Sequence, residues 1–392
     1  MSQELKREYL KAIRERYQNS SRVRKSVILD EFCQVCGYSR KYAIRVLNGH
    51  VEPEIMKQRG RVVRYSEEIV YHIARLWNAM GRPCSIKYKA AVADWIEFDP
   101  DPILRENACY RGLVCGISRS HLDRVLRQYR VTPNRGIGGT KKGLKHIRNR
   151  IPIEPKDWNV KAPGHVQSDT VAHCGDSLSG AFANTLTVTD IHTTWTEVRG
   201  IWGKGAIRVI EAMKNIEKAL PFRLTSFKSD SGSEFMNEEL MVYFRENRPD
   251  AEVKMTRSRP YKKDDNCYVE QKNFTHVREI FGYDRLDSME LVPLMNEIYT
   301  QYWCPLQNFF IPSMKLLRKT RIGAKIKKEY DEPKTPYKRL MECPETTEEK
   351  KEELKAARAR LNPFKLQEGL DIRLRQFEEI LRQNKTGRLH VA

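Results

Sequence analysis

The stretch Ser229-Asp230-Ser231-Gly232-Ser233-Glu234-Phe235 decides what the rest of the chain can be. Upstream of it, residues 222–228 alternate imperfectly between apolar and polar side chains, which is typical of a half-buried β-strand. Asp230 therefore follows the end of a strand and precedes a glycine turn. The pattern predicts a carboxylate held at the rigid edge of a sheet.

Two further acids are placed by similar patterns. Asp169 lies inside the strand-like run 165–172, and Glu270 begins an element whose apolar residues recur at roughly helical spacing up to Gly282. Mg²⁺ prefers oxygen ligands, and two ions can hold the attacking and leaving oxygens of a phosphoryl transfer. Three carboxylates on two strands and a helix therefore predict a site for divalent cations.

Three motifs in this order carry a resemblance to a known family: Asp230-Ser-Gly-Ser-Glu-Phe235, Ser258-Arg-Pro-Tyr261 and Asn266-x-x-Val-Glu-Gln-Lys-Asn273. Over residues 160–320 the chain resembles the catalytic core of the retroviral-integrase-type DDE transposases of bacterial insertion sequences. The resemblance implies that Asp169, Asp230 and Glu270 are the catalytic and metal-binding acids, with Mg²⁺ as cofactor and Mn²⁺ as its substitute. The second and third acids are 40 positions apart, somewhat more than in retroviral integrases, which fits a longer loop before the helix.

The resemblance also implies an activity. It implies a DNA transposase that binds the terminal repeats of its mobile element and carries out metal-dependent strand cleavage and strand transfer into target DNA, as a homo-oligomer on double-stranded DNA. Two alternatives stay open: a transposase-derived DNA-binding protein that is no longer catalytic, and a ribonuclease-H-like nuclease that cuts without joining. The intact acids count against the first, and paired DNA-binding units count against the second.

Composition favours a polyanionic partner. The 392 residues include 71 Lys and Arg against 51 Asp and Glu, a net charge of +20. The sequence contains no apolar run of the roughly 18 residues that a membrane span needs, and its first residues lack the apolar centre of a signal peptide. These features predict a cytoplasmic, nucleoid-associated protein whose nine cysteines are reduced thiols.

The first third of the chain contains one pattern twice. Residues 26–36 place apolar side chains on one helical face and stop at Gly37, after which Ser39 can cap a second helix with a basic outer face. The pattern recurs at a constant offset of 79, with Gly116 and Ser118 in the same places. The two copies predict two helix-turn-helix DNA-binding domains. Their predicted DNA-binding side chains are Arg40, Lys41, Arg45, Arg119, Arg124 and Arg127.

One motif in the first copy suggests a metal site. Cys33-Gln34-Val35-Cys36 has the spacing of half a zinc site. A tetrahedral site needs two more ligands, and no nearby His pair or second CxxC has the usual spacing. Packing cysteines are therefore the preferred interpretation, with zinc as the alternative.

Residues 132–160 mix glycines with Lys141, Lys142 and Lys145. This composition predicts an extended linker whose lysines follow a DNA phosphate backbone. Because the stretch lacks the order GxxxxGK[ST], no nucleoside triphosphate site is predicted. The alternative is a solvated tether that is disordered without DNA.

The pattern after the first predicted strand indicates two more strands, a helix, the Asp230 strand, a helix, a strand and the Glu270 helix. This order resembles the ribonuclease-H-like fold, in which the first and fourth strands are neighbours and would bring Asp169 close to Asp230. Asp264 and Asp265 are the nearest rivals of Glu270 as third ligand, but they lie in a loop. The basic residues predicted to hold DNA phosphates beside the acids are Arg259, Lys262 and Lys272.

The predicted fold is multidomain. N-terminal all-α helix-turn-helix domains at 1–57 and 58–131 precede the linker, an α/β ribonuclease-H-like catalytic core at 161–305 and a basic, partly helical C-terminal extension at 306–392. Residues 315–339 are strongly basic and broken by two prolines, which predicts an irregular DNA-contacting segment. The charged amphipathic helices that follow predict either a dimerisation arm or a solvated tail.

Overall fold

The computed structural model describes residues 3–50, 65–129, 151–154, 160–246, 252–259, 263–322 and 325–389. The chain divides into two compact units, residues 1–66 and residues 67–392. The predicted domain boundaries at residues 57 and 131 lie outside the described residues. The division after residue 66 places the second predicted helical domain in one unit with the predicted core.

The first unit contains α1 (Gln3–Gln18), α2 (Arg22–Cys36) and α3 (Arg40–Leu47). The three helices share a small core that includes Phe32, Val46 and Leu47. The predicted inward faces of α2 and α3 are confirmed, because apolar residues three or four positions apart fall on one side of a helix. Gly37 follows α2 in the left-handed region at φ 67°, where glycine meets no steric cost. The side chain of Ser39 makes no capping hydrogen bond at the start of α3.

The helices that open the second unit are α4 (Glu67–Ala79), α5 (Ser85–Ile96), α6 (Ile103–Glu106), α7 (Ala108–Gly116) and α8 (Arg119–Val125). The second copy of the repeated pattern forms α7 and α8, and Ser118 caps α8 by accepting a hydrogen bond from His121 N at 3.3 Å. Gly116 belongs to the last turn of α7 rather than to a left-handed turn. Trp95 on α5 is fully buried and donates its Nε1 hydrogen to Phe310 O at 3.3 Å. The second helix pair belongs to the same compact unit as the sheet, which the sequence pattern did not indicate.

A five-stranded mixed sheet, in the order β3-β2-β1-β4-β5, forms the centre of the second unit. Its strands are β1 (His165–Ala172), β2 (Ala183–Asp190), β3 (Thr196–Trp202), β4 (Ser226–Ser229) and β5 (Lys254–Arg257). The first three strands form an antiparallel ladder, and β4 and β5 run parallel to β1. Every residue of β2 is buried, so this strand is covered on both faces. The neighbouring β1 and β4 confirm the predicted ribonuclease-H-like α/β core.

Helices follow the strands along the chain. They are α9 (Ala206–Ala219), α10 (Glu238–Glu246), α11 (Cys267–Lys272), α12 (Glu279–Phe281), α13 (Leu291–Glu297) and α14 (Cys304–Phe310). A π-helical segment, Asn273–Arg278, joins α11 to α12, and a second one, Ile298–Trp303, joins α13 to α14. Such wide turns inside helices are frequent at functional sites.

The predicted and observed elements differ around β4. This strand is shorter than the predicted run 222–228, and the helix predicted to follow the Asp230 strand, α10, begins only at Glu238. The helix begins late because Asn237 acts as its N-terminal cap: Asn237 Oδ1 accepts a hydrogen bond from Leu240 N at 2.9 Å. Residues 230–237 are thereby left as the loop that carries the central acid.

Part of the predicted linker is attached to the sheet. Arg257 Nε donates a hydrogen bond to Ile151 O at 2.8 Å, and Glu154 N donates one to Arg257 O at 3.0 Å. Ile151 is buried, at 1% exposure. Residues 151–154 therefore extend along β5 instead of forming a solvated tether, while most of the linker, with Lys141, Lys142 and Lys145, lies outside the described residues.

The basic C-terminal segment is a β-hairpin of β6 (Leu316–Ile322) and β7 (Lys325–Tyr330), so the prediction of an irregular segment is wrong here. Its apolar residues, Ile322, Ile326 and Tyr330 among them, are types that favour strands, and the charge pattern concealed them. The hairpin is exposed along nearly all of its length.

Three helices complete the chain: α15 (Pro336–Glu342), α16 (Glu348–Ala359) and α17 (Pro363–Leu389). The prediction of a solvated tail is wrong for the described residues, because these helices pack on the body of the second unit. Phe377 on α17 is buried, with its ring centroid 4.7 Å from that of Phe281, and Arg373 forms an ion pair with Glu297 at 2.8 Å. Buried apolar residues of α17 are thus covered within the chain.

Candidate active site

Asp169 and Asp230 stand on neighbouring strands at the same level of the sheet. The parallel pairing of β1 with β4 ends at Ser168 opposite Ser229, and each aspartate is the next residue along its chain segment. Burial raises the pKa of Asp169 to about 7, and the negative charge of Asp230 contributes to this rise. Burial also raises the pKa of Asp230. The fold thus brings together two carboxyl groups whose charges repel each other.

Short hydrogen bonds orient these two carboxyl groups. Asp169 Oδ1 accepts a hydrogen bond from Thr170 N at 2.8 Å, and Oδ2 accepts one from Asn273 Nδ2 at 2.6 Å. Asp230 Oδ1 accepts one from Gly232 N at 2.9 Å. Because each carboxylate oxygen has more than one lone pair, these bonds fix the side chains and still leave oxygens able to bind a cation.

Gln167 fixes the start of α11 against β1. Its side chain is buried, at 1% exposure, and Nε2 donates a hydrogen bond to Asp265 O at 3.1 Å. Gln167 Oε1 accepts hydrogen bonds from Tyr268 N at 3.0 Å and Val269 N at 3.4 Å. These backbone donors lie in the first turn of a helix, where they have no intrahelical partner. One buried amide therefore ties the helix that carries Glu270 to the strand that carries Asp169.

Glu270 and Asn273 lie three positions apart, which places them on the same side of the helix. The Asn273 side chain contacts Asp169, and the charge of Glu270 also raises the pKa of Asp169. The structure therefore brings the third predicted acid into the electrostatic neighbourhood of the first. The Glu270 side chain is exposed, and within the described part of the chain no group of three or more His, Cys, Asp or Glu side chains is close enough to hold a metal ion.

A fourth acid, Glu234, was not singled out from the sequence. It is 3% exposed and forms an ion pair with Lys204 at 2.9 Å, and it accepts a hydrogen bond from Thr170 Oγ1. Its charge raises the pKa of Asp230. A Cβ atom at Gly232 would lie 2.7 Å from Glu234 Oε2 and 3.0 Å from Asp230 Oδ1. The motif glycine is therefore needed to let two carboxylates approach the same turn, a requirement that the Gly-x-Glu spacing alone does not reveal.

Asp265, one of the alternative candidates for the third metal ligand, is instead paired with an arginine. It is fully buried, and its two carboxylate oxygens accept hydrogen bonds from Arg259 Nε and Nη2, both at 2.8 Å. Arg259 N also donates to Asp265 Oδ2 at 3.0 Å. This bidentate pair closes the loop before α11. The guanidinium of Arg259, predicted to hold a DNA phosphate, is thus engaged by an acid of its own loop.

The predicted DNA-binding residues of the N-terminal helices are exposed. They are Arg40, Lys41, Arg45, Arg119, Arg124 and Arg127. Arg40 forms an ion pair with Asp30, so its charge is partly compensated within the first unit. The predicted residues Lys141, Lys142, Lys145 and Lys262 lie outside the described residues.

Lys272 does not lie beside the acids. It belongs to the side of α11 that lines a cavity together with Lys87, whereas Glu270 and Asn273 belong to the opposite side. Burial lowers the pKa of Lys272 to about 7, and the positive charges of Lys87 and Arg339 contribute to this lowering. The helix therefore has an acidic and a basic side.

The cysteines fit the packing interpretation. All nine are free thiols. Cys36 is buried in the core of the first unit, where burial raises the pKa of its thiol, and Cys33 packs beside that core. Across the described ranges, no helix combines the length and the apolar character that crossing a membrane requires.

Comparison with known proteins gives a sequence relative and, among solved structures, more distant likenesses. No protein-family model matches the chain. The uncharacterized protein y4rM of Sinorhizobium fredii is 37% identical over 336 residues, which cover 85% of this chain and 94% of the relative.

The solved structures are more distant. The catalytic core domain of BIV integrase matches with a TM-score of 0.22 and 14% identity over 28% of this chain and 64% of that one. A chain of the simian T-cell lymphotropic virus intasome in complex with PP2A regulatory subunit B56 gamma matches with a TM-score of 0.26 and 12% identity, over 40% of this chain and 50% of that one. Each match spans less than two thirds of the solved chain.

Proposed function

The chain belongs to the family of the uncharacterized protein y4rM, and we propose that it is a DNA transposase. In this proposal it binds the terminal repeats of its own mobile element, then cleaves DNA strands and transfers them to target DNA in a metal-dependent reaction. We also propose that the protein acts on DNA as a homo-oligomer and is associated with the nucleoid. Both remain predictions from the sequence.

One observation carries the proposal. Asp169 and Asp230 follow paired positions of adjacent parallel strands, and burial together with their mutual repulsion raises the pKa of Asp169 to about 7. Burying two neighbouring carboxyl groups is electrostatically unfavourable without a counter-charge. Their arrangement is therefore typical of a site where a bound cation supplies that charge. A purely structural role would be served better by one acid and one base.

Some of the ligands that a divalent cation needs are already in place at this site. Asp169 and Asp230 offer the oxygen ligands that Mg²⁺ and Mn²⁺ prefer, and Glu270 would complete the set by turning its exposed carboxylate toward Asp169. Asn273 Oδ1, beside Asp169, is buried and accepts no hydrogen bond from the described residues. The bound cation would stabilise charge on the reacting phosphoryl oxygens and activate water or a 3′ hydroxyl. Asn273 holds Asp169 in place, and Lys204 offsets the charge of Glu234 behind Asp230.

The two helix pairs support the DNA-binding part of the proposal. In both pairs the second helix, α3 or α8, presents exposed basic residues, among them Arg45 and Arg124. A short basic helix of this kind can enter a DNA major groove. We propose that both pairs are helix-turn-helix units that bind the terminal repeats.

The proposal is tested with the purified full-length chain and DNA that contains the sequences flanking its coding region. We expect Mg²⁺- or Mn²⁺-dependent cleavage at inverted repeats, followed by joining to a second duplex, and loss of both steps in EDTA. Asp230→Asn should bind the same DNA and fail to cleave it, because a neutral amide is a weaker cation ligand than a carboxylate of nearly the same size.

A second candidate, a non-catalytic DNA-binding protein, is favoured by one observation. Among the described residues no three potential ligands are already gathered for a metal ion. Specific binding to the flanking repeats without cleavage in either metal would support this candidate and overturn the transposase. Cleavage without joining would favour the nuclease.

A further inference from the structure

A cavity of about 430 Å³ lies on the side of α11 opposite the acids. Five lysines line this basic cavity: Lys87, Lys272, Lys315, Lys319 and Lys328. They come from α5, α11, the segment before β6, and the two strands of the hairpin. Residues that are far apart in the sequence thus bring positive charge to one place.

Positive charge predominates in the basic cavity. The described residues that line it include no Asp or Glu. Lys315 Nζ donates a hydrogen bond to His192 O at 2.9 Å, and Asp331 and Asp190, which do not line the cavity, act electrostatically on Lys315. Lys87 acts electrostatically on Glu279, but that acid does not line the cavity. Because like charges repel, an anion in the cavity would stabilise the arrangement.

The cavity is distinct from the acidic site. Gln271, Lys272 and Thr275 line it, whereas Glu270 and Asn273 lie toward Asp169 on the other side of the helix. An anion in the basic cavity would therefore not be the phosphate that reacts at Asp169 and Asp230. It would be a second contact on the same helix.

The exposed hairpin favours a polymer as the source of the anion. Lys319 and Lys328 lie on exposed strands, and the described hairpin has three Lys or Arg residues in β6 and three in β7, against one Glu. A small free anion needs only the cavity, whereas the basic surface continues along the hairpin beyond it. A two-stranded ribbon of this kind has dimensions that fit a DNA groove.

We propose that the basic cavity binds a backbone phosphate of double-stranded DNA, and that the hairpin follows the same DNA past it. This inference rests on the proposed function for its choice of DNA over a free phosphate compound. The cavity would hold DNA at a distance from the reacting strand, so that bound DNA is anchored on both sides of α11.

The experiment removes two cavity charges from the full-length chain and compares the result with a charge-matched control. The test variant is Lys87→Gln with Lys328→Gln. The control is Lys325→Gln with Lys327→Gln, since these lysines lie on the same strand as Lys328 but alternate to its other face. Binding of a fluorescent duplex is measured by anisotropy at several salt concentrations, and lysine acetylation is mapped by mass spectrometry with duplex DNA, inorganic phosphate or a nucleoside triphosphate.

We expect the cavity variant to bind duplex DNA about tenfold more weakly than the parent, because its phosphate would no longer meet a charged hydrogen-bond donor. The slope of log K against log salt should become shallower by about 0.9, since the variant would neutralise one DNA phosphate fewer. The control should change less in both respects. Duplex DNA should protect Lys87 and Lys328 from acetylation more than Lys327, and inorganic phosphate and the nucleoside triphosphate should not protect them.

Protection by inorganic phosphate or the nucleoside triphosphate but not by DNA would overturn the assignment to DNA and leave a small-anion site. Equally weakened binding in the cavity variant and the control would overturn the cavity as a specific contact. Neither result touches the proposed function if the parent still cleaves its flanking DNA. Conversely, failure of cleavage with DNA-dependent protection of Lys87 and Lys328 would remove the transposase and keep the phosphate site.

Discussion

The two sides of α11 and its π-helical continuation carry side chains of opposite charge. One side brings Glu270 and Asn273 to buried Asp169, where like negative charges raise pKa values. The other places Lys272 among lysines, where like positive charges lower its pKa. On each side, charges of one sign predominate among the described residues. We therefore propose that the same helix serves a cation site on one side and an anion site on the other, since metal ions and DNA phosphates carry opposite charges.

The roles of the two sides of the helix can be distinguished by neutralising one charged residue on each side. Glu270→Gln should lower strand cleavage by orders of magnitude with little change in DNA affinity, because it removes a cation ligand. Lys272→Gln should weaken DNA binding and leave cleavage at saturating DNA nearly unchanged. Both variants are assayed for cleavage rate and for affinity. If Glu270→Gln cleaved normally, the third acid would be misassigned.

A second prediction tests how closely the acids must approach. Gly232→Ala should lower cleavage about a hundredfold, because its Cβ would force apart the carboxylates of Glu234 and Asp230, and small misplacements are costly in active sites. Gly205→Ala is the control, since a Cβ there meets nothing within 4 Å. Equal activity of the two variants would show that the turn tolerates a methyl group and that the approach of the carboxylates is unimportant.

The acidic side also predicts a pH dependence of stability without metal. The folded pKa of Asp169 is about 7, above the value of about 3.9 in an unfolded chain, so the folded state binds more protons between these values. The contribution of Asp169 to the free energy of unfolding is therefore most favourable below pH 4. As the pH rises to about 7, this contribution falls by roughly a few kcal/mol. In Asp169→Asn the side chain does not titrate, so this decrease in stability with rising pH should be absent.

Urea unfolding in EDTA checks this prediction. The stability of Asp169→Asn relative to the parent should rise between pH 5 and pH 8, and added Mg²⁺ should stabilise only the parent at the higher pH. A difference between the two proteins that stays constant with pH would show that Asp169 is not protonated in the folded state.

The smallest expected effect concerns the loop between the two sides. Asp265→Asn should destabilise the fold by about 1–3 kcal/mol, because it weakens the buried bidentate contact with Arg259. Asp176→Asn, at an exposed position, should leave stability unchanged within error. Both are measured by urea unfolding. A stable Asp265→Asn protein that no longer binds metal would make Asp265 the third ligand after all.

The sequence patterns predicted the sheet and two of its acids because those features are local. The strand-like composition of residues 165–172 is a property of the segment itself, and β1 has those bounds. Asp230 followed a strand and preceded Gly232 in the same seven residues. Once β1 and β4 were taken as neighbours, the meeting of Asp169 and Asp230 required no further information, and the register of the two strands agrees with it.

Features that depend on distant partners could not be predicted in this way. Nothing in the sequence singled out Glu234, and only its contacts with Thr170 and Lys204 place it behind Asp230. Asp265 looked like a possible ligand until Arg259 occupied both of its oxygens. The charged pattern of the C-terminal helices left open a dimerisation arm or a solvated tail, and only contacts such as that of Phe377 with Phe281 place these helices on the second unit. The Asn237 cap was a local signal that could have been used.

We propose that Asp169 and Asp230 together hold a divalent cation that strand cleavage requires. Electron paramagnetic resonance of Mn²⁺ titrated into the full-length parent, Asp169→Asn, Asp230→Asn and Lys272→Gln measures this binding. We expect the parent and Lys272→Gln to bind Mn²⁺ alike and each aspartate variant to lose most of this binding. Undiminished Mn²⁺ binding in both aspartate variants would contradict it.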